Sequence, residues 1–557
     1  AKGKVYEISL GFDTAPIESF DYTAPAKKYT NVLYDGKVQP LAKYPNYGWI
    51  KTSGIYDKNG TKLNTDSDTW DSIRQNENYV WLDFSDSHIQ NLKNAQSAWC
   101  EGYWYKYWTW ENTELLGADS ASSRIKISVP EKGVIDTNRD FRIYNLLEEL
   151  DSPGEWYIDN DAKKLYFYPP KSLSSDADIE VTYLNDALIY ADNVHDVVFD
   201  SLMLKNSSGE AVKIDNSDRV DIAYCGIGNT GANGITVSKS NNIAIHDSEI
   251  FNTGAIGVMI DACGTIRNLT RCENEIKNCD IHDFGKVSRS YTPGVRIAAS
   301  VGVNVMNNEI HEGTHSGMIY SGSEIKIEYN EIYNVLTMAA DAGAIYSGRS
   351  YIDRGNEIKY NYLHDIYDNV NIKEPVVGIY LDDQLSGTEV ESNILYKVDS
   401  GIFLSGGRDT VIRNNIIAEK TAADYNETDG RYAIMLRTSG LMPHRQSMVL
   451  DMLSMIEGLD LSSPGWQKYP YVNVYPKDNP GAPVRDVVEN NVIWNHHNLK
   501  KYSDFENWST VGENLVNSTD PGFVNAAEGN LNLKDDSGVF KKLSGFEKIP
   551  FDKIGRQ

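Results

Sequence analysis

From about residue 190 onward the chain alternates polar and aliphatic positions in short runs, with almost no helical spacing. A small residue followed by an apolar run recurs as Gly234-Ile-Thr-Val-Ser238, Gly257-Val-Met-Ile-Asp261, Gly294-Val-Arg-Ile-Ala298, Gly317-Met-Ile-Tyr-Ser321, Ala344-Ile-Tyr-Ser-Gly348, Gly378-Ile-Tyr-Leu-Asp382 and Gly401-Ile-Phe-Leu-Ser405. Side chains of a strand alternate between its two faces. Ile235, Val258, Val295, Met318, Ile345, Ile379 and Ile402 are therefore expected inside, stacked as a core. The next residues, Thr236, Met259, Arg296, Ile319, Tyr346, Tyr380 and Phe403, form the outward column. A second phrase places Asn308, Asn330, Asn361, Asn393, Asn415 and Asn491 just ahead of an aliphatic position, at intervals of 22, 31, 32, 22 and 76 residues. A repeat of about 20–30 residues with this alternation predicts a parallel β-solenoid, one coil per repeat. Asparagine suits the corner of a coil because it tolerates left-handed backbone, and stacked amides can hydrogen-bond from coil to coil.

Residues 1–185 do not follow the phrase. Short alternating strands, turn-rich stretches such as Tyr44-Pro-Asn-Tyr-Gly-Trp49 and the aromatic run Trp99–Trp110 read as a β-sandwich or barrel-like module whose tryptophans are mainly core. Residues 186–557 are expected to be the solenoid, with coils over about 190–436 and 484–535. Residues 437–483 break the repeat as one long excursion carrying a helix near Gln446–Glu457. Long loops on a compact scaffold are commonly functional, and this one is placed to wall a groove.

At 557 residues the chain can bury a large core, and its net charge of −26 argues against nucleic acid or an anionic membrane as partner. No apolar run is long enough to span a bilayer. The five cysteines, Cys100, Cys225, Cys263, Cys272 and Cys279, lack zinc spacing and are expected as buried thiols, with a local Cys272–Cys279 pair as the other reading.

Neighbouring strands lie about 4.8 Å apart, so Tyr346, Tyr380 and Phe403 should form an aromatic strip, read as a sugar-stacking floor. Carboxylates border it: Asp341, Asp382 and Asp383, with Glu374 nearby. Arg349, Arg408, Arg296, His311 and His315 fall on adjacent coils. Two carboxyl groups flanking a sugar are what glycosidic hydrolysis needs, one to protonate the leaving oxygen and one to attack carbon or activate water. Ser347 and Ser405 lie in the same region, but no Gly-x-Ser-x-Gly elbow accompanies them. The repeat aligns Asp382 with Gly348, seven residues after Asp341. Seven extended residues span about 23 Å, so the pairing requires a bend, expected at Ala342-Gly343. Asp383 and Glu374 stand in reserve. No cofactor is called for, and room is left for a structural or site cation such as calcium.

Asp341-Ala-Gly-Ala-Ile-Tyr-Ser-Gly-Arg349, Gly378-Ile-Tyr-Leu-Asp-Asp383, Gly401–Asp409, Leu41-Ala-Lys-Tyr-Pro-Asn46 and Gly154-Glu-Trp-Tyr157 resemble glycoside hydrolase family 141, from Lys4 to Ile554. The resemblance implies a right-handed parallel β-helix combined with a β-sandwich, in a family that includes an endo-xylanase and an α-L-fucosidase. It implies catalytic aspartates at Asp341 and Asp382, and Arg349 and Arg408 match its motifs without a defined role. On the strand and coil reading above, Tyr346, Tyr380, Phe403, Arg349, Arg408, His315, Asp383 and Glu374 are the expected substrate-binding set.

The leading expectation is thus a secreted, extracellular or periplasmic glycoside hydrolase acting on plant cell-wall polysaccharide, with β-1,4-xylan first and pectic α-L-fucosides second. A polysaccharide lyase and a non-catalytic carbohydrate-binding solenoid are the other classes. The resemblance implies that members usually begin with a segment ahead of the sandwich that forms the first coils, and this sequence is expected to start just after it. A solenoid end without a cap exposes strand edges. The coil around Val197–Leu204 is therefore expected to be covered by the sandwich, another segment or a neighbouring chain.

Overall fold

The computed structural model describes residues 5–557 except 66, 94, 96, 132–133, 370–373, 420–430, 503 and 518. Its larger part is a parallel β-helix of three sheets, each of eleven strands among the described residues. The first sheet runs from Ile189–Asp192 to Leu499–Lys501, the second from His195–Asp200 to Thr510–Val511, and the third from Met203–Ser207 to Leu515–Asn517. Each coil contributes one strand to each sheet. The glycine phrases make up the first sheet, in the register the repeat predicts: Ile235 beside Val258, Val258 beside Val295, Ile345 beside Ile379, and Ile379 beside Ile402. Those aliphatic residues are fully buried and stack as one continuous core along the solenoid axis.

Asparagines hold the corner between the second and third sheets. Asn308 donates its side-chain amide to Oδ1 of Asn330 at 2.9 Å, and the ladder continues through Asn361, Asn393, Asn415 and Asn491 to Asn514. Each Oδ1 also accepts the backbone N–H of the asparagine one coil earlier, as Asn361 does from Asn330 at 3.0 Å. The left-handed residue is not the ladder asparagine but the one before it: Asn307, Tyr329, Tyr360, Ser392, Asn414 and Asn490 have φ between 54° and 60°. The turn residue reverses the chain, and the asparagine that follows turns inward to satisfy buried backbone groups, which would otherwise go unpaired. Toward the N-terminal end the same column is filled by Cys279, whose N–H donates to Asn308 at 2.9 Å, then Ser248 and Cys225. All five cysteines are free and buried.

The N-terminal module contains antiparallel sheets of eight, three and three strands. Trp70, Trp104, Phe141 and Ile143 pack in its own core. Phe20, Tyr103, Tyr107 and Trp110 instead join the core of the coils, so the module is packed onto the solenoid's flank. Its last strand is Ile179–Val181.

Two expectations about the ends need correction. Coils stop at Leu515–Asn517; Phe523–Asn525 and Asn530–Leu533 form a separate antiparallel pair. The remaining tail folds back over the third sheet, where the backbone carbonyls of Lys553 and Gly555 accept from Asn307. The antiparallel module does not cover the first coil. It reaches only its corner, where the Ser208 N–H donates to Leu184 O, and Val198 and Met203 are each 63% exposed. The module lies along the side of the helix, so its sheets cannot also cross the end.

The excursion at 437–483 carries the expected helix at Gln446–Ser454 and several 3-10 turns. Val449, Met452, Trp466 and Tyr475 pack with Leu269, Val301 and Tyr351. The indole of Trp466 donates to the Ile266 carbonyl at 3.0 Å, which fastens the excursion to the outside of earlier coils.

Candidate active site

The strands Ala342–Gly348 and Val376–Asp382 pair with Tyr346 beside Tyr380 and Gly348 beside Asp382, and Tyr380 in turn lies beside Phe403. The bend that brings Asp341 into play falls at Asp341 itself, not at Ala342-Gly343. Asp341 has φ 52° and donates its N–H to Pro375 O at 2.8 Å, while Ala342 and Gly343 are already paired in the strand. Gly343 makes room in another way: a Cβ there would sit 2.6 Å from Cβ of Tyr380. The missing side chain lets Tyr380 lie over the strand, with its hydroxyl 3.5 Å from Oδ1 of Asp341. That hydroxyl also meets Asp382.

Asp382 sits in a hydrogen-bonded frame. Tyr346 donates its hydroxyl to Oδ2 at 3.1 Å, and the Asp383 N–H donates to Oδ1 at 2.7 Å. Burial pushes the Asp382 carboxyl up to about 6, with the charges of Asp383 and Asp341 adding to the effect. Asp341 is open to solvent by area yet closely surrounded. Desolvation holds its carboxyl above the usual range against the pull of Arg437 and Lys106. Asp383 is buried and clamped between Arg349 Nε and Arg445 Nη1, each at 2.7 Å. One aspartate is thus paired with two guanidinium groups, beside another whose carboxyl burial and neighbouring charge raise.

The aromatic column is continuous but is not an open floor. Tyr380 and Phe403 stack at 4.6 Å with a 9° interplanar angle, and Tyr346 meets Tyr380 edge-on at 5.6 Å. Tyr380 is only 5% and Phe403 3% exposed, because Tyr432 and Met435 from the next coil pack against them. Arg437 lies over the Phe403 ring at 4.7 Å. Tyr346, half-buried, keeps its edge toward the groove. Tyr380 and Phe403 therefore act as a packed base under the carboxylates, with no free ring face for a sugar.

Of the other expected residues, Arg349 is exposed at the groove and Glu374 lies at the Asp341 end, where burial and the Asp341 charge raise its carboxyl. His315 and Arg408 are not groove residues. His315 is buried behind Tyr291, with ring centroids 5.0 Å apart, and burial pushes its imidazole down to about 3, so it is neutral. Arg408 has no exposed surface, and its Nη2 donates to the backbone carbonyls of Asp478, Asn479 and Ala482. It anchors the excursion from beneath. Arg296 is likewise committed, donating to Tyr291 O at 3.1 Å. Ser347 and Ser405 are both buried, and Ser405 donates to Ser439, so neither presents its hydroxyl to the groove.

Sequence reasoning missed the residues other segments bring to the groove. The N-terminal module supplies Tyr22, Lys106 and Trp108, with Tyr22 and Trp108 at 5.4 Å and Tyr22 6.0 Å from Tyr291. Tyr291 meets Tyr346 edge-on at 6.3 Å. The excursion supplies Arg445 and, at its first residue, Arg437. The dense Trp99–Trp110 run was a signal for Trp108, although most of its rings are core. Among the described residues no group of three or more His, Cys, Asp or Glu side chains is placed to hold a metal ion.

A family described as "Right handed beta helix region" matches residues 293–430. The comparison with curated proteins finds no match. Among solved structures, a chain named "Glycoside hydrolase" is similar over 77% of this chain and 82% of its own, at 15% identity and a TM-score of 0.55. The catalytic unit of a GH87 α-1,3-glucanase from Streptomyces thermodiastaticus strain HF3-3 aligns over 93% of this chain and 94% of its own, at 9% identity and a TM-score of 0.35. The complex of XylC with xylose aligns over 94% and 74%, at 12% identity and a TM-score of 0.37. Together with the family match, the first of these shows that this chain is built on the right-handed parallel β-helix.

Proposed function

We propose that this protein is a glycoside hydrolase that cleaves plant cell-wall polysaccharide, with endo-cleavage of β-1,4-xylan as the specific reading. The observation that carries the proposal is the pair Asp341 and Asp382, both raised in pKa and both in contact with the Tyr380 hydroxyl. Asp382, the more enclosed of the two, holds its proton up to about 6 and serves as general acid toward the glycosidic oxygen. Asp341 is open to the groove beside Arg437 and Lys106, which favour its ionised form, and serves as nucleophile or general base. Tyr380 orients both carboxyls, and Tyr346 holds Oδ2 of Asp382. Asp383, fixed by Arg349 and Arg445, supplies the negative charge that helps keep Asp382 protonated. Trp108 and Tyr22, partly exposed at the groove, supply aromatic surface for a sugar ring. The sequence resemblance to glycoside hydrolase family 141 supports the sugar assignment, and the fold shared with a chain named as a glycoside hydrolase is consistent with it. A polymeric substrate implies that the enzyme works outside the cell or in the periplasm.

Lys106 and Arg437 beside Asp341 favour a second reading, a lyase in which a cation meets the uronate carboxylate and a base removes the neighbouring proton. A panel of xylan, fucosylated pectin fragments and polygalacturonate separates the two. New reducing ends on xylan without unsaturated product support the hydrolase. Unsaturated product from polygalacturonate supports the lyase and overturns it.

A further inference from the structure

A cleft of about 390 Å³ lies between the N-terminal module and the early coils, among residues that take no part in the carboxylate site. Its charged lining is Lys43, Arg142, Lys286 and Arg289 against Glu101 alone. Two of the cations are already paired: Arg142 with Glu101, and Lys286 with Asp283 at 2.7 Å. The other two are not. Lys43 has no hydrogen-bond or ion-pair partner among the described residues. Arg289 gives Nη1 to the Met338 sulfur at 3.5 Å and lies over the Trp110 ring at 5.6 Å, and its Nε is buried with no hydrogen-bond partner.

Two cations without a direct ion-pair partner facing one cleft are costly. Burial and the neighbouring Arg142 charge depress the Lys43 ammonium, and burial likewise depresses Arg289 against the pull of Glu101. A cation withdrawn from water without a partner is destabilising unless an anion completes it. This arrangement stands in a chain of net charge −26, yet the cleft lining holds one carboxylate, Glu101, which is bonded to Arg142. The two cations come from different parts of the fold, Lys43 from the strand Lys43–Tyr44 and Arg289 from the segment before Val295–Val301. An anion held by both would also tie the module to the coils.

We propose that this cleft is a binding site for a small carboxylate-bearing, hydroxyl-rich ligand of monosaccharide size, a hexuronic acid in free form or as a terminal residue. The Arg289 guanidinium suits a planar carboxylate, and Lys43 adds a second positive charge to the same lining. Tyr29, Gln39 and Asn252 line the rest and offer polar groups to sugar hydroxyls. The volume is several times what a phosphate fills, and the single unpaired Arg–Lys couple matches one or two negative charges.

Isothermal titration of the full chain with D-glucuronate, D-glucose and inorganic phosphate tests the proposal, with Lys43→Gln and Arg289→Gln as variants and Asp382→Asn as a control that leaves this cleft intact. Lys43 sits in a partly exposed position, so its replacement keeps the fold even if Arg289→Gln does not. The expected result is glucuronate binding at least tenfold tighter than glucose and phosphate, weakened at least tenfold by Lys43→Gln and unchanged by Asp382→Asn. Glucuronate binding no tighter than glucose, phosphate binding tighter than glucuronate, or binding that survives Lys43→Gln would each overturn it. Because the readout is binding, its failure leaves the proposed hydrolysis untouched, and the reverse also holds.

Discussion

The hydroxyl of Tyr380 stands 3.5 Å from Oδ1 of Asp341, although the two residues are separated by 39 positions and lie on adjacent coils. This contact depends on Gly343, whose missing side chain leaves space for the tyrosine, and on the left-handed backbone of Asp341. The same hydroxyl meets Asp382, so one phenol gathers two carboxyls that the strand register alone would hold far apart. A substitution of Gly343 by alanine would place a methyl group against Tyr380, and it is the backbone position on which the site most depends.

The raised carboxyls set the pH dependence. Asp382 must be protonated to act as an acid, so kcat/KM should fall as pH rises through about 6. Asp341 must be ionised, and its carboxyl lies above the usual range, so activity should also fall on the acid side. The native state holds the Asp382 proton more tightly than the unfolded chain does. Stability from this group is therefore full below the unfolded carboxylate pKa and is lost as pH rises toward and through about 6. Asp382→Asn should raise Tm by a few degrees at pH 8 and by less at pH 4. A pH-rate profile and thermal unfolding at both pH values check this. An equal shift at both would disconnect the group from the linkage.

In the proposed mechanism Asp383 contributes charge rather than direct chemistry. Replacing it with Asn removes a negative neighbour of Asp382 and frees Arg349 and Arg445. Both changes lower the Asp382 carboxyl, so the alkaline limb of kcat/KM should move to lower pH by about one unit. At the optimum the loss should be smaller than for Asp382→Asn. An unmoved limb would remove Asp383 from the electrostatic account.

Arg408 anchors the excursion, so Arg408→Met should loosen residues 437–483 without touching the carboxylates. Three backbone carbonyls lose a charged donor, at a cost of about 2–4 kcal/mol. Limited proteolysis should cut first within 437–483, and KM should rise because Arg445 rides on that segment. Cleavage elsewhere, with KM unchanged, would contradict the assignment.

The asparagine ladder gives a prediction about the scaffold. Asn361→Ala leaves the backbone N–H and the side-chain amide of Asn330 without their acceptor and the Ile327 carbonyl without its donor. A loss of about 2–4 kcal/mol is expected from the buried unpaired groups. A urea midpoint within error of the parent would mean the ladder is replaceable by water.

The coils were legible because a solenoid repeats one local solution: the glycine phrase at Gly378 or Gly401 carries its own period, and each copy predicts its neighbour. The strand register, the inward aliphatic column and the asparagine corner all follow from that period. The cover over the site does not, because it comes from segments outside the repeat. Tyr380 and Phe403 read as exposed by strand alternation, but Tyr432, Met435 and Arg437 close over them. Arg408 looked like a groove cation because it follows a strand of the site sheet; its role is fixed by carbonyls some 70 residues later. Lys106 and Trp108 belong to a different module altogether. His315 shows the same limit, since a histidine near the site in sequence sits behind Tyr291 in space.

The central claim is that Asp382 delivers the proton to the leaving group. It is tested most directly by comparing kcat/KM of the parent and of Asp382→Asn on xylan and on an aryl xyloside whose leaving group needs no protonation. The account predicts a loss of about 10³-fold or more on xylan and a far smaller loss on the aryl xyloside, because general acid catalysis contributes about 10²–10⁴-fold only where the departing oxygen must be protonated. Equal losses on both substrates, or an active Asp382→Asn on xylan, would contradict it.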